Sequence, residues 1–276
     1  MVEQQKDVQI KANVSSNQLS QLIERMKPLH VLLSQNTYVK DTAKRLKRII
    51  DDASSQTMIL VMGKERVGKT TLINALLGRE LLSASGEHPT ATNTFIRYGE
   101  QECVKAVFLD GMVATFDIGK LELFTTSDTF CAQIIREYLD YIEVYIKHDL
   151  LKNTTIVDTV ALQATSDYAA YFSEMILNRV DEVFWVIRGG SIATEAELML
   201  LEKYSHRGIK PHFIINGIDQ YEGNIVDFMQ SENERYGNHV ASMLAVSATR
   251  ALEGSKMNDS QYDELYKYIE NLAYDY

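Results

Sequence analysis

Two cysteines, three prolines and one tryptophan among 276 residues, with no apolar run approaching the roughly 18 to 20 residues of a membrane-spanning helix, exclude several classes at once. Cys103 and Cys131 are too few for a disulfide framework and show no metal-ligand spacing, which agrees with a reducing compartment. So little proline leaves no rigid linker, and neither an internal repeat nor a low-complexity tract interrupts the chain. An excess of positive charge is also missing. The 28 Lys and Arg against 38 Asp and Glu give a net charge of −10, and phosphate repels a surface of like sign, so no nucleic-acid partner is expected. The opening MVEQQKDVQIKANVSSNQ has no apolar stretch after its basic residues, so neither a signal nor a transit peptide is expected, and a cytoplasmic address is. What remains is a chain that is 45% hydrophobic and long enough for one large α/β core with an appendage.

Residues 14 to 53 carry a helical apolar rhythm. Leu19, Leu22, Ile23, Met26 and Leu33 form one stripe; beyond the helix breaker Pro28 and the Asn36-Thr37 break, Val39, Ala43, Leu46 and Ile50 form another. The second stretch sets Lys40, Lys44, Arg45, Lys47 and Arg48 against Asp41 alone, and reads either as a solvated face or as a docking surface for an acidic partner or anionic lipid. From residue 57 short apolar runs alternate with helical stretches. Strands are expected at 57–62, 103–109, 112–117, 141–147, 154–158, 182–187, 212–216 and 242–246. Helices are expected at 70–77, 128–138, 167–179, 193–205, 222–235 and 261–273. Asp110-Gly111 between two alternating runs signals a hairpin, so part of the sheet is antiparallel. The alternation predicts a mostly parallel α/β sheet with helices on both faces, an antiparallel hairpin edge and a flanking helical segment. The organisation expected is an N-terminal helical segment 1–55, a nucleotide-binding domain 56–252, and a C-terminal helix 253–276 packing on the N-terminal helices.

Gly63-Lys64-Glu65-Arg66-Val67-Gly68-Lys69-Thr70 satisfies G-x-x-x-x-G-K-[ST] between a predicted strand and a predicted helix, the context a P-loop requires. Two glycines let backbone N–H groups wrap inward, and the helix N-terminus adds partial positive charge. Lys69 bridges β and γ phosphates, and Thr70 ligates Mg²⁺. Farther on, a strand runs into Asn216-Gly217-Ile218-Asp219, and another delivers Val246-Ser247-Ala248-Thr249. A strand ending in Asn-Lys-x-Asp, then one ending in Ser-Ala, resembles the base-recognition pair of GTPases. That resemblance implies that the Asp219 carboxylate accepts from guanine N1–H and the 2-amino group, selecting guanine over adenine. Gly217 departs from the pattern: it stands where the family's lysine packs its stem over the base, so selectivity is expected to persist with weakened affinity.

Other segments resemble dynamin-like GTPases in particular, over about 57 to 250. They are Thr71-Leu72-Ile73-Asn74-Ala75-Leu76-Leu77-Gly78, the Pro-Thr segment Glu87 to Gly99, and the stretch Val183 to Asp219 with Trp185 and Ala193-Thr194-Glu195-Ala196-Glu197. The resemblance implies GTP and GDP as ligands, with Gly63, Lys64, Glu65, Arg66, Val67, Gly68, Lys69, Thr70 and Thr71 on the phosphates. It puts Asn216, Asp219, Ser247 and Ala248 at the base. Around Mg²⁺ it implies Thr70, the switch residue Thr90 (with Thr92 and Thr94 as rivals) and Asp158, which stands where the family has Asp-x-x-Gly. Asp158-Thr159-Val160-Ala161 lacks the usual Pro and Gly, so slow hydrolysis or an altered second switch is expected. Arg66 occupies the loop place where guanylate-binding proteins and atlastins carry an internal arginine finger; a solvent-facing loop tip is the other reading. Glu65 is a candidate for the neighbourhood of the attacking water.

The function implied is GTP binding and hydrolysis by a dynamin-like domain that dimerises through its nucleotide face. It would be the motor part of a membrane-remodelling protein, peripheral at a lipid membrane or joined to a partner dynamin-like protein. Too few residues follow Thr249 for the long helical stalk of that family, so another segment or a partner is expected to supply it. Two readings compete: an Era- or TrmE-like assembly GTPase, disfavoured by the acidic charge, and a nucleotide-binding scaffold with little or no hydrolysis, suggested by Gly217 and Ala161.

Overall fold

The computed structural model describes residues 16–34, 37–39, 42–43, 46, 56–83, 92–160, 180–191, 194–206, 208–255 and 260–274. The basic stretch 40–48, apart from 42, 43 and 46, the helix expected at 167–179, Thr90 and Ala161 lie outside the described residues. Contacts divide the chain into Met1–Ser55 with Asp275–Tyr276, and Gln56–Tyr274.

In the first unit, helix α1 spans Ser16–Ser34 and a 3₁₀ turn Thr37–Val39 follows. Pro28 reads as a helix breaker in the sequence, yet α1 runs through it. A proline removes one i→i−4 bond, and a 19-residue helix keeps the ladder on both sides of the loss.

Among the described residues the second unit holds nine strands. In chain order these are β1 (Thr57–Met62), β2 (Thr94–Tyr98), β3 (Cys103–Phe108), β4 (Val113–Asp117), β5 (Leu139–Ile146), β6 (Thr154–Asp158), β7 (Glu182–Arg188), β8 (His212–Asn216) and β9 (Ser242–Val246). Its helices are α2 (Lys69–Leu76), α3 (Leu121–Thr125), α4 (Phe130–Glu137), α5 (Glu195–His206), α6 (Ile225–Tyr236), α7 (Ala248–Leu252) and α8 (Tyr262–Tyr274). All strands join one sheet in the order β4-β3-β5-β2-β6-β1-β7-β8-β9. The half from β6 to β9 is parallel throughout. The other half is mixed: β2 runs antiparallel to β6 and parallel to β5, and the β3–β4 hairpin forms the edge. The hairpin turn is a three-residue loop, Leu109 to Gly111, closed where Phe108 N–H donates to Met112 O at 2.9 Å.

Central strands are apolar on both faces, which is why β1 and β7 read as unbroken hydrophobic runs. Ile59, Val61, Phe184, Val186 and Ile214 point to one face, where Leu72, Ile73 and Leu76 of α2 cover them. Leu60, Met62, Trp185, Ile187 and Phe213 point to the other, beneath Leu201 and Tyr204 of α5 and Tyr236 of α6. The period of two splits each strand between two cores, and both need helices.

The sequence reading set residues 253–276 against the N-terminal helices; α8 belongs to the sheet-containing unit. Its Leu265 and Ile269, one helical turn apart, are fully buried in the core shared with α2. Gln261 fastens the helix start to β9, donating from its N–H to Ala245 O at 2.7 Å and accepting Ala245 N–H on Oε1 at 3.0 Å. Tyr268 reaches His212 Nε2 at 3.1 Å, and burial pushes the Tyr268 hydroxyl pKa up. The sheet face beside α2 is apolar and would otherwise be wet, so it takes the stripe.

Candidate functional site

Every strand of the parallel half delivers a polar or glycine residue at its carboxyl end: Gly63 after β1, Asp158 on β6, Arg188 on β7, Asn216 on β8 and Ser247 after β9. That edge is where open α/β sheets bind ligands, because helix N-termini and loop amides converge there.

The loop 63–68 wraps tightly onto its neighbours. A Cβ at Gly63 would lie 2.3 Å from Val186 O of β7, and one at Gly68 would lie 2.3 Å from Asn216 Nδ2, so neither position admits a side chain. Lys69 is only 6% exposed. Its Nζ donates to Lys64 O at 2.8 Å and to Gly63 O at 3.1 Å, so the loop's own carbonyls hold the ammonium. Burial lowers the Lys69 pKa, while the Asp158 and Glu65 charges oppose the shift. A buried cation at a helix N-terminus, whose hydrogen bonds among the described residues go to two backbone carbonyls, is poised for an anion.

Thr70, on the first turn of α2, donates from Oγ1 to Asp158 Oδ2 at 3.3 Å. Asp158 is 1% exposed at the end of β6. A hydroxyl and a buried carboxylate within one hydrogen bond form the hard-oxygen pair that suits Mg²⁺, which otherwise takes water and substrate phosphate oxygens. Thr159, next in the chain, donates from its N–H and its Oγ1 to Val61 O, at 3.4 and 3.0 Å. The rivals of Thr90 are both buried: Thr94 lies on β2 and donates from Oγ1 to Thr92 O at 3.1 Å.

At the other end of the site, Ser247 Oγ donates to Asp219 Oδ1 at 2.6 Å. The same Oγ accepts Arg250 N–H at 3.3 Å and caps α7, so Ser247 aligns the Asp219 carboxylate and starts a helix at once. Gly217 adopts φ 75° between Asn216 and the 3₁₀ turn Ile218–Gln220. The resemblance implies Asn216 as a base ligand; the structure gives it a wider task. Its Nδ2 donates to Val67 O at 3.2 Å and Gly68 O at 3.3 Å, while its Oδ1 accepts Ala248 N–H at 3.0 Å. One amide thus ties the phosphate loop, the 216–219 turn and the Ser247-Ala248 turn together, and its two donors and one carbonyl serve three segments.

Arg66 is exposed and is, among the described residues, the one non-glycine with positive φ, at 61°. An L-residue held there stores of order 1 kcal/mol or more, and such strain clusters at functional sites. Lys64 pairs with the buried Glu197 at 2.7 Å. Glu197 also accepts the N–H and Oγ1 of Thr194, each at 2.7 Å, so its carboxylate reaches back to the residue that opens α5, as in one half of a capping box. The Thr-x-x-Glu spacing carried that signal in the sequence; the pairing with Lys64 did not. Glu65 is exposed beside Lys64 and Arg66. Thr71 continues α2, where Asn74 is buried and holds the chain that leads toward residue 84, donating to Leu82 O at 2.7 Å and accepting Leu81 and Leu82 N–H.

The dynamin family profile matches residues 59–218, more than half of the chain. A bacterial dynamin-like protein of Nostoc punctiforme is 28% identical over 222 residues, covering 75% of this chain and 32% of that protein. Dynamin-like protein 2 of Campylobacter jejuni is 23% identical over 239 residues, covering 82% and 37%. A chain from the structure of an oligomerised bacterial dynamin pair superposes with a TM-score of 0.64 at 18% identity, over 96% of this chain and 41% of that one. The chain therefore belongs to the dynamin family, and the residues that match its GTPase domain lie within the compact unit Gln56–Tyr274. It spans about half or less of the length of these relatives. Among the described residues no helix is long and apolar enough to cross a membrane.

Proposed function

We propose that this domain binds GTP with Mg²⁺, hydrolyses it, and pairs with a second copy through its nucleotide face. The observation that carries the reading is the network joining Lys69, Asn216, Asp219 and Ser247 across one sheet edge: a buried cation at a helix N-terminus at one end, an oriented carboxylate at the other. The first suits a polyphosphate and the second the donor pair of guanine; adenine offers no such pair on that edge.

Phosphoryl transfer needs positioning and charge neutralisation more than covalent chemistry. When the phosphates arrive, the Lys69 ammonium exchanges two carbonyls for phosphate oxygens, and the loop amides follow. Thr70 and Asp158 would hold Mg²⁺, which would supply neutralisation of the phosphate charge. Arg66 sits at the loop tip in a conformation that costs energy without a ligand, and it turns onto the transferring phosphoryl group when two domains meet. Thr90 would add a ligand to that metal, and Glu65 is assigned to the neighbourhood of the attacking water. The domain uses this cycle at a lipid membrane or with a partner dynamin-like protein. The oligomerised bacterial dynamin pair that shares the fold is described as sensing and tethering membranes, which supports that reading.

The test is phosphate release from GTP and ATP in parallel, across protein concentrations, with Lys69→Ala and Arg66→Ala. The proposal expects release from GTP alone, specific activity rising with concentration, and loss in both variants. Release from ATP at an equal rate, or Arg66→Ala acting as wild type at every concentration, contradicts it.

A further inference from the structure

Five parallel strands end at the site, and the function proposed above uses the residues after four of them; β7 ends in Arg188, which it leaves without a task. Gly217 has the complementary deficit: it occupies the position at which a lysine stem would cover the base. A Cβ built on Gly217 meets one atom within 4 Å, Arg188 Cγ at 4.0 Å. The stem of Arg188 thus runs beside the place where the missing stem would begin. Two contacts hold it there. Arg188 is in register with Asn216, with Gly189 N–H donating to Asn216 O at 2.9 Å. Its Nη2 donates to Gln220 Oε1 at 2.6 Å, one residue from Asp219. Arg188 also lines, with Lys64, Arg66 and Val67, a cleft of about 180 Å³ beside the phosphate loop, so it stands between the phosphate end and the base end.

We infer that Arg188 replaces the missing lysine from the neighbouring strand, laying its stem and guanidinium against the face of the guanine while Asp219 reads its edge. A guanidinium is planar and weakly hydrated and stacks on aromatic faces better than an ammonium. Glycine at 217 leaves the space beside the Arg188 stem without a side chain of its own, and φ 75° disfavours one there. Arg188 is thereby a specificity-determining residue, and the inference rests on guanine-nucleotide binding by this site.

The experiment is calorimetric titration of GDP into the full chain as wild type, Arg188→Ala, Arg188→Lys and Asp219→Ala, with inorganic pyrophosphate as the base-free probe and the melting point of each nucleotide-free variant recorded. Arg188→Ala is expected to weaken GDP about tenfold and Arg188→Lys about threefold. Pyrophosphate affinity should stay unchanged, and so should the melting point, because the side chain is exposed. If wild type binds GDP and Arg188→Ala binds it equally well, the inference is wrong and the guanine reading survives. A parallel loss for pyrophosphate also overturns it, since Arg188 then serves the phosphates. If wild type fails to bind GDP, both fall.

Discussion

Asn216→Asp changes one atom and tests how the two ends of the site are joined. The substitution keeps an oxygen to accept Ala248 N–H, now 3.0 Å from Oδ1, but replaces the Nδ2 donor that lies 3.2 and 3.3 Å from Val67 O and Gly68 O. Two modest hydrogen bonds are lost at about 0.5 to 1.5 kcal/mol each. A carboxylate is then pressed on two carbonyl oxygens in a buried place, which adds about 1 to 3 kcal/mol. The sum is a destabilisation of about 2 to 6 kcal/mol, larger than for Asn216→Ala, where water can reach the vacated carbonyls. Because the tie positions the phosphate loop, GDP affinity should fall as well, although the phosphate groups and Asp219 are untouched. Urea unfolding with and without GDP reads both effects. Asn216→Asp within about 0.5 kcal/mol of wild type, with an unaltered GDP dissociation constant, would refute the reasoning.

Arg66→Gly should stabilise the nucleotide-free protein by about 1 kcal/mol relative to Arg66→Ala, since glycine accepts φ 61° and alanine does not; urea midpoints of the two variants decide it. Ile269→Ala should cost about 2 to 4 kcal/mol in urea unfolding, because the side chain is fully buried between α8 and the sheet; a cost under about 1 kcal/mol would mean that α8 does not seal that face. The Lys69 pKa is lowered by burial in the free protein, and bound phosphates raise it, so nucleotide binding takes up a proton. GDP affinity should therefore begin to fall as pH rises through the lowered free-protein value, before the ordinary lysine range, and Lys69→Met should remove the dependence in titrations across alkaline pH.

The parts of the site that are local in sequence were legible there. Gly63 to Thr70 is a strand, a turn and a helix start in one stretch, and its chemistry is backbone chemistry. Asp158 could be placed because it follows an unbroken apolar run, and the parallel strands because both their faces are buried. Legibility failed where a residue answers to something distant in the chain. Asn216 reads as part of a base motif, yet its amide spends its hydrogen bonds on Val67, Gly68 and Ala248, none of which the spacing announces. The stripe of α8 is a good amphipathic pattern, but a pattern does not name its partner. Here the partner is the sheet. Strand β2 came from the resemblance alone, and its antiparallel pairing with β6 reverses the direction that strand and helix alternation suggests. The short helices α3 and α7 are too brief for a 3.6-residue period to show, and α7 exists because Ser247 caps it.

The central claim is that Asp219 reads guanine at a site whose other end holds phosphates, and exchanging the base tests it most directly. Xanthine carries an oxygen where guanine carries the 2-amino group, so Asp219→Asn, which turns one acceptor into a donor, should reverse the preference. Titration of GDP, XDP and ADP into wild type and Asp219→Asn is expected to show GDP binding only to wild type and XDP binding only to the variant, with ADP bound by neither. Equal binding of GDP and ADP by wild type, or a variant that keeps its preference for GDP, would contradict the account.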